Sequence, residues 1–146
     1  MIIMSYLGES KELQDLEATR LLIVRRPPRF IPEGFIHTPE LSPSLELFHQ
    51  AQIWKREYEI KEDWFPLYEE RFLKEIQQRI DMVHMFNQLE RKSKNGKKFI
   101  LFCYCKDIEF CHRKFIANEF IRRGCEVDLR KKNGKQEETI EQLSLF

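Results

Sequence analysis

No run of this chain approaches the roughly 18 consecutive apolar residues that a membrane span needs, so a bilayer-crossing protein is not expected. The opening stretch Met1-Ile2-Ile3-Met4-Ser5-Tyr6 lacks the charged and apolar layout of a secretory signal and reads instead as a strand. Charge of one sign is missing as well: a net charge of +1 is no argument for nucleic acid by itself. Cysteine is scarce. Of the four present, Cys103, Cys105 and Cys111 fall within nine positions, too few and too clustered for a secreted disulfide framework. That usage suits reduced thiols in a cytoplasm. There is no CxxC pair, which weakens a thioredoxin-like reading, and no internal repeat. With 42% hydrophobic and 34% charged residues over 146 positions, what remains is one soluble globular domain with a sizeable core.

Hydrophobic patterning gives an α/β alternation. Residues 2–7 form a first strand candidate, and Ser10 can cap a helix to about Ala18. The run Leu21-Leu22-Ile23-Val24 is too short for a helix and suits a strand buried on both faces, ended by Pro27 and Pro28. Residues 30–50 contain four prolines or glycines and read as a long loop with a short helix from Ser44. Tyr68, Phe72, Ile76, Ile80, Val83, Phe86 and Leu89 recur every three or four positions, which predicts one long amphipathic helix from about Trp64 to Arg91. Its aromatic stripe is read as core. Residues 99–104 form a second buried strand, residues 109–123 a helix stopped by Gly124, and residues 127–129 a last short strand. The expected fold is a single α/β domain over residues 1–129, a mostly parallel, Rossmann-like three-layer sheet with helices on both faces. A charged tail, 130–146, follows.

Dense chemistry is confined to residues 103–113, Cys-Tyr-Cys-Lys-Asp-Ile-Glu-Phe-Cys-His-Arg. Parallel sheets bind ligands beyond the carboxyl ends of their strands, and helix starts favour anions. Cys103 and Asp107 then sit at a strand end, with Cys111, His112 and Arg113 at a helix start. Arg25, Arg26 and Arg29 leave the neighbouring strand on the same rim, where their forked donors suit phosphate or carboxylate. Singly, each residue has a bland role: Cys103 in packing, His112 as a cap, Arg113 paired with Asp107 or Glu109. Together they favour a function. Cys111 is the best-placed nucleophile and His112 an acid–base group. A phosphatase-style loop fails, because Cys105 and Arg113 are separated by seven residues instead of five. No metal is expected: Cys103 and Cys105 would point to opposite sides of a continuing strand, and adjacent residues such as Cys111 and His112 seldom close on one ion. The residues name no particular cofactor and leave that identity open.

Charge runs add little. Residues 57–75 are rich in Glu, while residues 91–98 and Arg130-Lys131-Lys132 are basic, as solvated loops commonly are.

The 103–113 cluster resembles the hallmark of the domain of unknown function 488 family: a Cys ending a strand, a Lys-Asp pair, then Cys-His-Arg opening a helix, with a small residue at Ala117. Residues 24–29, residues 41–45, Trp64-Phe65 and residues 68–73 are similar to other parts of that family, so the resemblance covers almost the whole chain to about residue 129. Cys105 and Ile23 stand where the family commonly has acidic residues. The resemblance therefore carries fold and site more than reaction.

The last five residues, Gln142, Leu143, Ser144, Leu145 and Phe146, resemble the pentapeptide by which bacterial polymerases and repair proteins hold the sliding clamp. Gln142 would hydrogen-bond at one end while Leu143, Leu145 and Phe146 fill an apolar cleft. The resulting expectation is a cytoplasmic, bacterial or phage protein of DNA metabolism. It would bind a nucleotide or nucleic-acid phosphate at the Cys-His-Arg site, with a tether to the sliding clamp. The alternatives are a thiol-dependent enzyme acting on a phosphorylated or carboxylated metabolite, and a non-catalytic clamp-binding adaptor or inhibitor.

Overall fold

The computed structural model describes residues 1–130, so residues 131–146, including Gln142, Leu143, Ser144, Leu145 and Phe146, lie outside the described residues. Five strands are present among them: β1 (Ile2–Tyr6), β2 (Thr19–Leu22), β3 (Phe35–His37), β4 (Phe99–Cys103) and β5 (Val127–Asp128). They pair in the order β3-β2-β4-β1-β5, every pair parallel. The α-helices are α1 (Leu45–Glu57), α2 (Lys61–Gln78), α3 (Ile80–Lys94) and α4 (Arg113–Arg122). The parallel α/β domain read from the alternation is therefore the one that forms. No helix of the described residues is long and apolar enough to cross a membrane.

Strand side chains alternate between two cores, as a pleat requires. Ile2, Met4, Leu21, Ile23, Phe99 and Leu101 face all four α-helices, meeting Leu47, Phe72, Phe86, Phe115 and Phe120. Ile3, Leu22, Val24, Ile100 and Phe102 face the other way, under Leu13 of a 3-10 helix (Leu7–Leu13) and beside Phe35. The layers are thus unequal. β4, at the centre, is buried at all five positions.

Four local expectations are corrected. The helix from Ser10 to Ala18 does not form, and a 3-10 helix takes its place. Arg20 explains the ending: its guanidinium donates to the carbonyls of Leu13 (2.6 Å), Leu16 (2.8 Å) and Ala18 (3.0 Å), closing an irregular loop around one cation. The loop over residues 30–50 contains the edge strand β3, tied back by the His37 ring nitrogen, which donates to the Val24 carbonyl (2.8 Å). Ser44 does cap α1, accepting from the Leu47 amide (3.1 Å). The helix after β4 starts at Arg113, because Asp107 caps a separate 3-10 turn (Ile108–Phe110) and Cys111 is extended.

The fourth correction is the largest. The long helix is two, broken at Arg79, whose backbone is extended between α2 and α3. Arg79 donates to the Ser42 (2.7 Å) and Glu40 (3.2 Å) carbonyls and pairs with Glu75 (3.1 Å) and Asp81 (2.9 Å). Asp81, in the first turn of α3, also accepts from the Met82 amide (2.9 Å). A guanidinium serving two carbonyls and two carboxylates outweighs the propensity of either segment to continue. The break directs α2 across the end of the sheet, where its first turns reach the site.

Arg79→Ala is expected to cost about 3 kcal/mol in urea unfolding, since it strips charged hydrogen bonds from partners that are themselves partly buried. A loss under about 1 kcal/mol would mean that the break is set elsewhere.

Candidate functional site

At the carboxyl ends of β2 and β4 lies a cleft of about 320 Å³, a size that suits one small ligand. Its floor is Cys103, from the last position of β4, with Cys111 and His112 from the turn into α4. The wall is aromatic: Phe48 from α1, Trp64, Phe65 and Tyr68 from α2, and Phe110. Arg25, Arg26, Gln52 and Lys55 add polar groups to the lining, and Tyr104 and Cys105 join it from the loop after β4.

His112 is buried and its ring meets the Phe72 ring edge-on. Its Nε2 donates to the Ile23 carbonyl (2.7 Å), which fixes the tautomer and leaves Nδ1 as a lone pair. Nδ1 lies 3.8 Å from the Cys111 sulfur. Burial lowers the His112 pKa to about 4, so the ring is neutral near pH 7. It is an acceptor there, not a proton donor.

Cys111 is 2% exposed and lines the cleft. Burial alone would raise its thiol pKa. Hydrogen bonds from Cys103 and Cys105, followed by the charge and amide of Arg113, outweigh burial and hold it well below the usual thiol range. Arg113 donates to Sγ twice, from Nε at 3.4 Å and from its backbone amide at 3.5 Å. The Cys103 thiol moves in the opposite direction, raised by hydrogen bonds to Cys105 and Cys111 and then by burial. The two floor thiols are thus shifted in opposite directions, and Cys111 gives up its proton before Cys103. Burial, with the negative charge on Cys111, also holds the Tyr68 phenol well above its ordinary value.

The arginines expected to surround one anion separate into distinct roles. Arg113 is 2% exposed and lies beneath the site, donating to the carbonyls of Ser5 (2.7 Å) and Cys105 (2.5 Å). Arg25 lines the cleft, but its guanidinium holds the Pro43 (2.8 Å) and Pro39 (3.1 Å) carbonyls; burial, then Arg79, lowers its pKa. Arg26 is exposed beside His49 (3.1 Å) and over the Phe48 ring. Tyr104 pins the same segment by donating to the Arg26 carbonyl (3.0 Å). Arg29 lies over Phe30 and does not line the cleft. Asp107 caps its turn by accepting from the Glu109 amide (3.0 Å) and does not line it either.

Sequence reasoning missed the contribution of α1 and α2. Phe48, Gln52, Lys55, Trp64, Phe65 and Tyr68 all line the cleft, although the stripe that includes Tyr68 reads as core. Both descriptions hold, since Trp64, Phe65 and Tyr68 are buried in the main core and present an edge to the cleft.

Cys103, Cys111 and His112 also form a metal-capable group among the described residues: their donor atoms all lie within 4.8 Å of one another. The sequence argument against adjacent Cys111 and His112 sharing an ion rested on their adjacency. The extended backbone of Cys111 followed by helical His112 turns both side chains to the same side.

Two outcomes follow. The Arg113→Lys protein should show a Cys111 alkylation midpoint shifted to higher pH, because a single ammonium cannot replace the Nε donor and both carbonyl contacts. An unchanged pH profile would exclude Arg113 as the source of activation. His112 predicts acid sensitivity. Between its folded value of about 4 and its ordinary 6.5 the unfolded chain binds a proton that the folded chain refuses, so stability falls as pH drops through this window. The loss approaches about 3 kcal/mol at the acid end. Urea melts at several pH values should show this slope in the parent and lack it in His112→Gln.

No curated protein and no solved structure matches the chain. The family model described as DUF488-N3a, active DUF488-N3 subclade, matches residues 3–124, a span reaching from β1 through α4 with the whole cleft inside it, and the chain belongs to the domain of unknown function 488 family.

Proposed function

We propose that this protein is a cytoplasmic thiol enzyme of DNA metabolism, acting on a nucleotide, free or within a nucleic-acid strand, and tethered to the sliding clamp by its last five residues. The observation that carries the catalytic part is the Cys111 sulfur, held by two N–H donors of Arg113 at the floor of an aromatic cleft. An aromatic wall suits a base, and Arg26 and Lys55 suit a phosphate at the entrance. At about 320 Å³ the cleft admits one nucleotide and not a duplex, so a nucleotide within a strand would enter only after leaving its stack.

In this reading Cys111 is the nucleophile, activated by Arg113, and Cys103 keeps its proton as a donor to it. His112 acts as a neutral acceptor through Nδ1. Arg25 is a positioning residue that holds the Pro39 and Pro43 carbonyls at the rim. Four unbridged cysteines, three of them at or beside the floor, suit a reducing compartment. The clamp tether rests on the spelling of Gln142, Leu143, Ser144, Leu145 and Phe146 alone.

The size of the cleft also favours a second reading, a thiol-dependent enzyme of a small phosphorylated or carboxylated metabolite with no role for the tail. The two separate cleanly. Deletion of residues 142–146 should abolish binding to the clamp while leaving nucleoside-monophosphate affinity unchanged; clamp binding that survives the deletion ends the tether. Arg26→Ala with Lys55→Ala should weaken nucleoside-monophosphate binding about tenfold or more by calorimetry. Equal affinity in the double variant would remove the nucleotide from the first reading.

A further inference from the structure

We propose that Cys103, Cys111 and His112 form a zinc site with its fourth coordination position open to the cleft. The three donor atoms lie within 4.8 Å of one another, and all three residues are buried. With Zn–S near about 2.3 Å and Zn–N near about 2.0 Å, a tetrahedral sulfur–nitrogen edge is about 3.5 Å long. The observed separation of Cys111 Sγ and His112 Nδ1 is 3.8 Å, so small side-chain movements close the site.

Features outside the donor set point the same way. The other ring nitrogen of His112 donates to the Ile23 carbonyl at 2.7 Å, the usual support for a metal-bound imidazole, and it leaves the lone pair on the nitrogen facing the sulfurs. Cys111 Sγ already accepts two N–H donors from Arg113, the kind of contact that steadies a metal thiolate. Two thiolates balance a divalent ion, and two sulfurs with one imidazole suit zinc over magnesium or calcium. All three residues line the cleft together with Tyr68 and the aromatic wall, so a water or an oxygen of a cleft ligand would complete the tetrahedron.

This site uses the sulfur of the proposed nucleophile but does not depend on that reading. An ion there would occupy Cys111 and silence it, so zinc-loaded and metal-free protein would differ in thiol reactivity.

The experiment uses reduced, full-length protein stripped with a chelator. Cobalt added as a spectroscopic probe should give thiolate-to-cobalt charge transfer and intense four-coordinate bands that saturate at one ion per chain, and zinc should bleach them. Cys103→Ala and His112→Ala should lose the bands, while Cys125→Ala should keep them. Should those variants fold poorly, X-ray absorption on zinc-loaded parent protein decides: two sulfurs with nitrogen or oxygen neighbours are expected. A shell of nitrogen and oxygen only, or one with more than two sulfurs, overturns the site. Alkylation of Cys111 in metal-free protein keeps the two ideas apart. Rapid labelling without cobalt bands preserves the nucleophile and rejects the metal, and slow labelling with a two-sulfur shell does the reverse.

Discussion

One buried guanidinium holds this architecture and its chemistry together. Arg113 stands at the first position of α4, shielded from water, and engages the Ser5 carbonyl on β1, the Cys105 carbonyl after β4 and the sulfur of Cys111. A buried charge is costly unless its donors are answered. Here the answer comes from chain segments 108 residues apart and from the next turn of the loop. The loop after β4 is therefore wound around a cation, which adds to the hydrogen bonds from Cys103 and Cys105 that lower the Cys111 thiol against its burial. Fold and reactivity share a cause.

A second arginine performs a parallel service at a distance. Arg79 gathers the Glu40 and Ser42 carbonyls with Glu75 and Asp81, breaking what would have been one helix. Glu75 in turn accepts from the Ser44 amide and hydroxyl, so the cap of α1 and the end of α2 are joined. These links set the two helices whose aromatic side chains wall the cleft. Arg25 reaches into the same loop through the Pro39 and Pro43 carbonyls. The rim thus depends on arginines that bind the protein's own backbone, leaving Arg26 and Lys55 as the cations at the cleft.

That division bears on the chemistry. A pocket of four free guanidiniums would be a general trap for anions. The cleft has an apolar body instead, with an activated sulfur, a neutral imidazole and a protonated thiol at its base. Such a floor admits two occupants, an electrophilic ligand or a soft metal ion, and both require the Nδ1 lone pair that the Ile23 carbonyl secures.

Much of this was legible in the residues themselves. Short apolar runs bounded by charge identified β2 and β4, because a strand buried on both faces has no polar alternation to show. The Cys-His-Arg triplet marked the floor, since chemistry-bearing residues are seldom packed so densely within one loop. Ser44 announced the start of α1. What the sequence could not carry was the destination of each long side chain. Whether Arg20, Arg25, Arg79 or Arg113 meets a ligand or a carbonyl depends on which backbone groups the fold leaves unpaired nearby, and that is decided only when distant segments meet. For the same reason Tyr68 reads as core and is also a wall, and Cys103 becomes the neighbour of His112. Local spelling determined the strands and the reactive residue types. Tertiary contact decided their protonation, their partners and the cavity they share.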